Sequence, residues 1–435
     1  MLSGAMLVAQ FDDPPPAGRD QQARRAKANC RVAASRLDSG MAWILLRDAV
    51  YLLALLSSGY ALAAIIAADR FFGRARFVSN PGDRVVTESQ SLPPVSILKP
   101  IRGLDRETYE NYASFCRQDY PEFEILFCVT DESDPAVPII QQLIGDFPQC
   151  GIRLLMGAEP LGASDKVNKL CRLTREARHG ILIVTDSDVR VEPGFLRAVV
   201  APFNDPAVGG VTCLYRGLTD GTFPANLEAL GNSTDFAPGV LVAWMLGGGN
   251  LDFMLGAVMA TSKTHLARIG GFEALVDYFC DDYELGNRLA ACGYRVELSP
   301  FPVDIVYPRE TLGEAFRHQL RWNLSIRYSR PWGHLGLIFT QILVWSLLAA
   351  LLTQSLLGEF AFLIVYVLLR REMVLTAGAR GMQDRLVRQK MWMLGPRDLL
   401  AFAVWVVSFF PQPIYWRDRR FYVRNKRLMA TSTTR

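Results

Sequence analysis

Ile181-Leu182-Ile183-Val184-Thr185-Asp186-Ser187-Asp188 is the stretch on which the fold turns. Four consecutive aliphatic residues read as a strand buried on both faces, the pattern of a parallel sheet covered by helices. The strand runs into two carboxylates two positions apart. Ligands of open α/β sheets bind beyond the carboxyl ends of the strands, so Asp186 and Asp188 fall where a site is expected. Working outward, Val95-Ser96-Ile97-Leu98, Glu124–Val129 and Ile152-Arg153-Leu154-Leu155 read as further strands. Tyr109–Arg117, Pro138–Phe147, Lys166–Arg178 and Gly194–Phe203 read as the helices between them. This alternation over residues 94–310 predicts an α/β domain with a Rossmann-like, mostly parallel sheet.

The chain has 435 residues, half of them hydrophobic, which suits a soluble domain joined to a few membrane segments. A formal charge of +4 with no basic run in the central region argues against nucleic acid as a partner. The eight cysteines include no CxxC pair and read as reduced thiols rather than zinc ligands. Residues 1–42, Ala- and Arg-rich and broken by Pro14-Pro15-Pro16, read as disordered or as a mis-annotated extension ahead of Met41. Residues 43–69 read as a transmembrane helix, because Ala49–Ala68 holds no charge over a span-length run. Arg70, Arg74 and Arg76 follow it and favour a cytosolic location for what comes next. Residues 70–93 form a linker, and 311–332 an interfacial amphipathic helix. Residues 333–416 are a C-terminal membrane region, read as a hairpin or a span plus a re-entrant piece. A basic tail follows at 417–435. Together these segments describe a multi-pass membrane protein whose main domain faces the cytoplasm.

Four motifs carry chemistry. Asp186 and Asp188 can share a hard divalent cation, Mg2+ or Mn2+, that neutralises a nucleoside diphosphate leaving group; a surface turn is the simpler alternative. Asp131, at the end of Cys128-Val129-Thr130-Asp131, can accept hydrogen bonds from a uracil or ribose, or cap a turn. In Cys280-Asp281-Asp282-Tyr283, adjacent carboxylates repel, which raises one pKa and suits one of the two as a general base; the alternative is a pair of helix N-terminal acids. In His318-Gln319-Leu320-Arg321-Trp322, Arg321 can hold a diphosphate and Trp322 can pack on a sugar, or the motif can anchor a helix at the membrane surface. Lys166 and Asn168 open a helix and can reach an anionic donor, or simply be solvated.

With these motifs in this order, the chain resembles the ceramide glucosyltransferase family and its bacterial relatives of hopanoid synthesis. The landmarks are Val95-Ser96-Ile97-Leu98-Lys99-Pro100, Asp119-Tyr120-Pro121, Cys128–Asp131, Asp186-Ser187-Asp188, Asp281-Asp282-Tyr283, Arg321-Trp322 and Trp416-Arg417. The resemblance implies a GT-A fold and an inverting transfer from a UDP-sugar donor to a membrane lipid acceptor. Glucose and a ceramide-like acceptor are favoured; the alternatives are N-acetylglucosaminyl transfer to a hopanoid and a processive polysaccharide synthase. It implies Asp131 at the nucleotide, Asp186 and Asp188 at the metal, Asp282 as base, and Arg321 and Trp322 closing the donor site; Lys166 and His318 are donor-site candidates from their place in the motifs. The family motif usually begins with Gln or Arg where this chain has His318, so either the first contact of the motif differs here or an imidazole there makes diphosphate binding pH-sensitive.

Overall fold

The structure, a computed structural model, describes residues 18–78, 92–410, 414–416 and 419–430. The chain divides into two compact units, Met1–Leu53 and Ala54–Arg435. A single helix, α1 (Gly18–Val78), includes residues 18–42, which the sequence reading treated as lacking regular structure; residues 1–17 lie outside the described residues. Within the second unit, α1 buries Ala54, Ser57, Ala61, Ala64, Ala67, Ala68, Phe71 and Phe72. This three-to-four spacing draws one stripe along the helix, and its small residues allow close packing. Ala61 and Ala64 pack with Ile342, Tyr366 and Met373. Leu55, Leu56, Leu62 and Ile66 stay exposed on the other side.

The sheet domain opens with β1 (Val95–Pro100), α2 (Thr108–Cys116), β2 (Phe123–Val129), α3 (Val137–Asp146), β3 (Gly151–Met156), α4 (Asp165–Glu176) and β4 (Ile181–Thr185). Every strand and helix expected here is present, within a residue or two at each end. Then come β5 (Val189–Arg190), α5 (Phe195–Val200), β6 (Val208–Leu218), α6 (Phe223–Gly231), α7 (Ala237–Leu246), β7 (Val258–Ser262), α8 (Lys263–Arg268), α9 (Asp281–Ala291) and β8 (Arg295–Val306). The eight strands lie in the order β3-β2-β1-β4-β7-β6-β8-β5. Pairs β3-β2, β2-β1, β1-β4 and β6-β8 are parallel, and β4-β7, β7-β6 and β8-β5 antiparallel, so the sheet is mixed. Ile97, Leu98, Ile183 and Val184 are fully buried, each contributing about 2 kcal/mol of apolar transfer.

Two registers position the site. Leu98 pairs with Val184, which brings Lys99 beside the end of β4. Thr185 pairs antiparallel with Val258, so the residues just before β7 run alongside Asp186.

The C-terminal part continues with α10 (Leu312–Ser329), α11 (Pro331–Gly336), α12 (Ile342–Leu352), α13 (Leu356–Val374), α14 (Arg385–Gln389) and α15 (Leu394–Val407). A small antiparallel sheet follows, β9 (Ile414–Trp416), β10 (Arg419–Arg424) and β11 (Arg427–Ala430). Among the described residues one helix, Met41–Arg74, is by itself long and apolar enough to cross a membrane. Pro331–Thr340 and Ile342–Leu352 meet that test only together, bent by 52°. The reasons are length and charge: α12 has 11 residues and α15 has 14, while α13 carries Glu359, Arg370, Arg371 and Glu372. The basic tail is ordered where it is described. Leu428 N–H donates to Asp277 O at 2.7 Å, and Phe279 N–H to Lys426 O at 3.0 Å.

Candidate active site

Beyond the carboxyl ends of β1 and β4 and the start of β7 the acids gather around Lys166. Ser164 caps α4, its hydroxyl accepting from Val167 N–H, and the helix start projects Lys166 over the end of β4. Lys166 Nζ lies 2.9 Å from Asp186 Oδ1 and 3.5 Å from Asp281 Oδ2. Burial opposes its charge, but Asp186, Asp281 and Asp282 outweigh burial and hold its pKa above the ordinary lysine value. Lys166 is therefore not a solvated helix start. Asn168 instead holds the preceding loop, exchanging hydrogen bonds with the Gly162 backbone at 3.1 and 3.0 Å.

Asp186 and Asp282 converge on Gly256. A Cβ at Gly256 would stand 3.1 Å from Asp282 Oδ2 and 3.9 Å from Asp186 Oδ2. Burial, then Asp281, pushes the Asp282 carboxyl up to about 7, despite Lys166 and a hydrogen bond from Tyr283 N–H. Burial, then Asp186 and Asp105, pushes Asp188 up to about 7. The Asp188 backbone is pinned from β8, its carbonyl accepting from Val306 N–H at 3.0 Å.

Lys99, fully buried beneath the motif, donates to Asp186 O at 3.1 Å and lies 3.8 Å from the Phe115 ring centroid. Burial pushes its pKa down to about 7 against the pull of Asp186, Asp188 and Asp105. Among the described residues no three His, Cys, Asp or Glu side chains form a ready metal cluster. The donor set still fits a hard cation that takes its remaining ligands from a substrate diphosphate and water. Three carboxylates crowd here, and Asp105 Oδ2 is buried without a partner.

On α10, Arg321 makes no hydrogen bond or ion pair with the described residues, yet it feels the charges of Asp186, Asp188 and Glu228. Burial lowers its pKa against those carboxylates. Trp322 packs on the sheet core, 6.4 Å from the Tyr215 ring centroid, rather than marking a membrane surface. His318 stands 4.7 Å from the Trp322 ring. Burial, then Arg321, pushes the imidazole down to about 4, which corrects the expectation that its own titration would govern a site working near neutrality. Asp131 stands apart. It is exposed beyond β2 and caps a turn by accepting from Ser133 N–H at 2.9 Å and from the Ser133 hydroxyl.

The converged side chains share one cavity of about 2140 Å³. Lys166, Asp186, Asp188, Asp282, His318, Arg321 and Trp322 line it, and so do the apolar side chains of Leu56, Ala63, Val240, Leu343 and Val344. Sequence reasoning missed Glu228, Gly256 and Glu310, and gave Lys99, part of a landmark, no role. A lysine within an apolar strand was the only local signal among them.

Charged side chains gathered at the strand ends, in a cavity that also has apolar walls, suit a glycosyltransferase, and the family match shows that class. The chain belongs to glycosyl transferase family 21, whose model matches residues 49–429. It is 30% identical over 218 residues to ceramide glucosyltransferase 1 of Caenorhabditis elegans, covering 50% of this chain and 46% of that protein. It is 37% identical over 123 residues to the ceramide glucosyltransferase of Candida albicans, covering 25% of this chain and 22% of that protein. The chain thus spans at most about half the length of these relatives. Among solved structures it resembles the mannosyltransferase PcManGT from Pyrobaculum calidifontis, solved with GDP-Man and Mn2+. Identity is 19%, coverage 82% of this chain and 97% of that one, and the TM-score 0.44.

Proposed function

We propose that this protein is a membrane-bound, inverting glycosyltransferase of the GT-A type. It transfers a hexose, with glucose favoured, from a UDP-sugar to the hydroxyl of a membrane lipid, with a ceramide-like acceptor favoured. The observation that carries the reading is the single cavity joining the acid cluster to apolar walls, far larger than the ~300–1,000 Å³ of an ordinary small-molecule site. A nucleotide sugar needs the charged lining and a lipid the apolar lining.

Asp282 accepts the proton of the acceptor hydroxyl as that oxygen bonds to the anomeric carbon. The bond from that carbon to the diphosphate oxygen breaks, its electron pair leaves with UDP, and the configuration inverts. Lys166 and Arg321 bind the diphosphate charge, and Trp322 walls the sugar. Asp131 contacts the nucleoside after exchanging its turn bonds. Mg2+ or Mn2+ held by Asp186 and Asp188 would neutralise the leaving diphosphate. The chain is anchored through α1 with its catalytic face to the cytosol, beside Arg70, Arg74 and Arg76.

The test is turnover in membranes, with single UDP-sugars offered alongside ceramide and the products read by mass spectrometry. A singly glycosylated ceramide is expected. Asp282→Asn should lower kcat by ~10²–10⁴-fold while UDP-sugar binding persists. The base must be ionised, so wild-type kcat should climb with pH through about 7 and then level off. Normal turnover in Asp282→Asn removes the base assignment; a polymer or a hopanoid product removes the acceptor assignment.

A further inference from the structure

Behind the α10 motif lies a pair of acids that the mechanism above does not use. Glu228, on α6, is 0% exposed, and its Oε1 lies 2.5 Å from His318 Nδ1. Glu310, between β8 and α10, presents its carboxyl group to that of Glu228, whose charge helps to raise it. As two carboxylates, the pair would leave Oε2 of Glu228 and Oε1 of Glu310 buried with no donor among the described residues. That arrangement is heavily penalised in a protein interior. One proton held between them supplies the missing donor.

The surroundings agree. Arg397 from α15 and Arg321 from α10 face Glu228; His318 and Glu314, also on α10, face Glu310; the Tyr307 phenol after β8 faces Glu228. Burial, then the facing carboxyl of Glu228 and its charge, pushes Glu310 up to about 8. Burial raises Glu228 as well. His318 stays neutral, so a partner fixed on Nδ1 dictates which ring nitrogen carries the proton.

We propose that Glu228 and Glu310 are positioning residues for the donor site, a carboxyl pair sharing one proton that pins His318 Nδ1, sets that ring against Trp322, and so holds Arg321 and Trp322 in place for a nucleoside diphosphate. This rests on the glycosyltransferase reading above. The pH sensitivity expected of His318 then belongs to the acids behind it. Glu310 is raised above its ordinary value, so its proton, and the order it brings, is fully present at acid pH and is lost as pH climbs through about 8. Above that, two carboxylates repel and the ring is released.

Two measurements on the full chain in detergent test this. The first is donor KM and kcat from neutral to alkaline pH for wild type, Glu310→Gln and Glu228→Gln. Wild-type KM for the UDP-sugar should rise about tenfold above pH ~8, the worth of one charge-assisted hydrogen bond, with a smaller change in kcat. Glu310→Gln, which cannot lose a proton, should show a flat KM. The second is 15N-histidine NMR, where four histidines allow assignment of His318 from its loss in His318→Gln. Its signal should report one fixed neutral tautomer that loosens above pH ~8 in wild type and does not move with pH in Glu310→Gln. A KM profile in Glu310→Gln that overlays wild type overturns the proposal, as does a His318 signal indifferent to both glutamates. If Glu228→Gln does not fold, Glu310→Gln carries both measurements. If no UDP-sugar is turned over, the donor reading fails while the NMR still decides the pair.

Discussion

Gly256 shows at the scale of one residue how the acids can gather. It lies just before β7, whose antiparallel register carries it past Asp186, and the missing side chain leaves room for Asp282. Gly256→Ala would set a methyl 3.1 Å from Asp282 Oδ2. That contact is tight but falls on a side-chain oxygen, so the fold should survive while the acid moves. Displacement of a reacting group by about an ångström costs ~100-fold in rate. The expected outcome is a loss of kcat/KM of about that size with an unchanged unfolding temperature, checked by kinetics alongside thermal unfolding. An equal loss of stability would mean that Gly256 is needed for packing rather than for the cradle.

At the scale of elements, α10 is held from two sides. Its N-terminus is a capping box, Thr311 with Glu314, which the sequence Thr311-Leu312-Gly313-Glu314 encodes locally. Its middle is held from α15, where Arg397 donates to Gln319 Oε1 and to Asp235 Oδ2, the latter at 2.6 Å. Arg370 on α13 joins the same network through Asp235 and Asp398, both at 2.6 Å. Breaking one partner of a buried ion pair typically costs ~3–5 kcal/mol, whereas an exposed pair is worth ~1 or less. Arg397→Ala should therefore destabilise the protein by about 3 kcal/mol and loosen the motif on α10, whereas Arg117→Ala, from a pair half exposed on both sides, should cost under ~1. Denaturation in detergent compares them, and equal costs would contradict a tie between α15 and α10. The strands β1 to β4 could be read from sequence because each is an apolar run of strand length beside a helical pattern. Strand β7 could not, since Val258-Met259-Ala260-Thr261-Ser262 is no aliphatic run like that of β4, and it takes its direction from partners on either side. The bends of the C-terminal helices were illegible for a related reason. Apolar runs in 333–410 suggest spans, but where helices bend and stop is set by packing.

Across the whole molecule, an apolar surface remains that no part of the described chain covers. Leu55, Leu62 and Ile66 on α1 are exposed, as are Leu351 on α12 and Leu357, Phe360 and Leu368 on α13. Exposed apolar surface on this scale marks a partner or a membrane. The protein should resist alkaline carbonate washing of membranes and yield only to detergent; release by carbonate would confine it to the bilayer surface. The sequence by itself determined the α/β domain, the strand-end position of Asp186 and Asp188, the candidate base Asp282 and the family resemblance. Each depends on residue type and short spacing along the chain, and those survive without coordinates. Only the tertiary structure decided that Lys166 joins Asp186 to Asp281, that Lys99 lies beneath the motif, that Gly256 makes room between carboxylates, and that Glu228 and Glu310 stand behind His318. These neighbours are far apart in sequence, and burial and charge at such sites depend on what folding brings near.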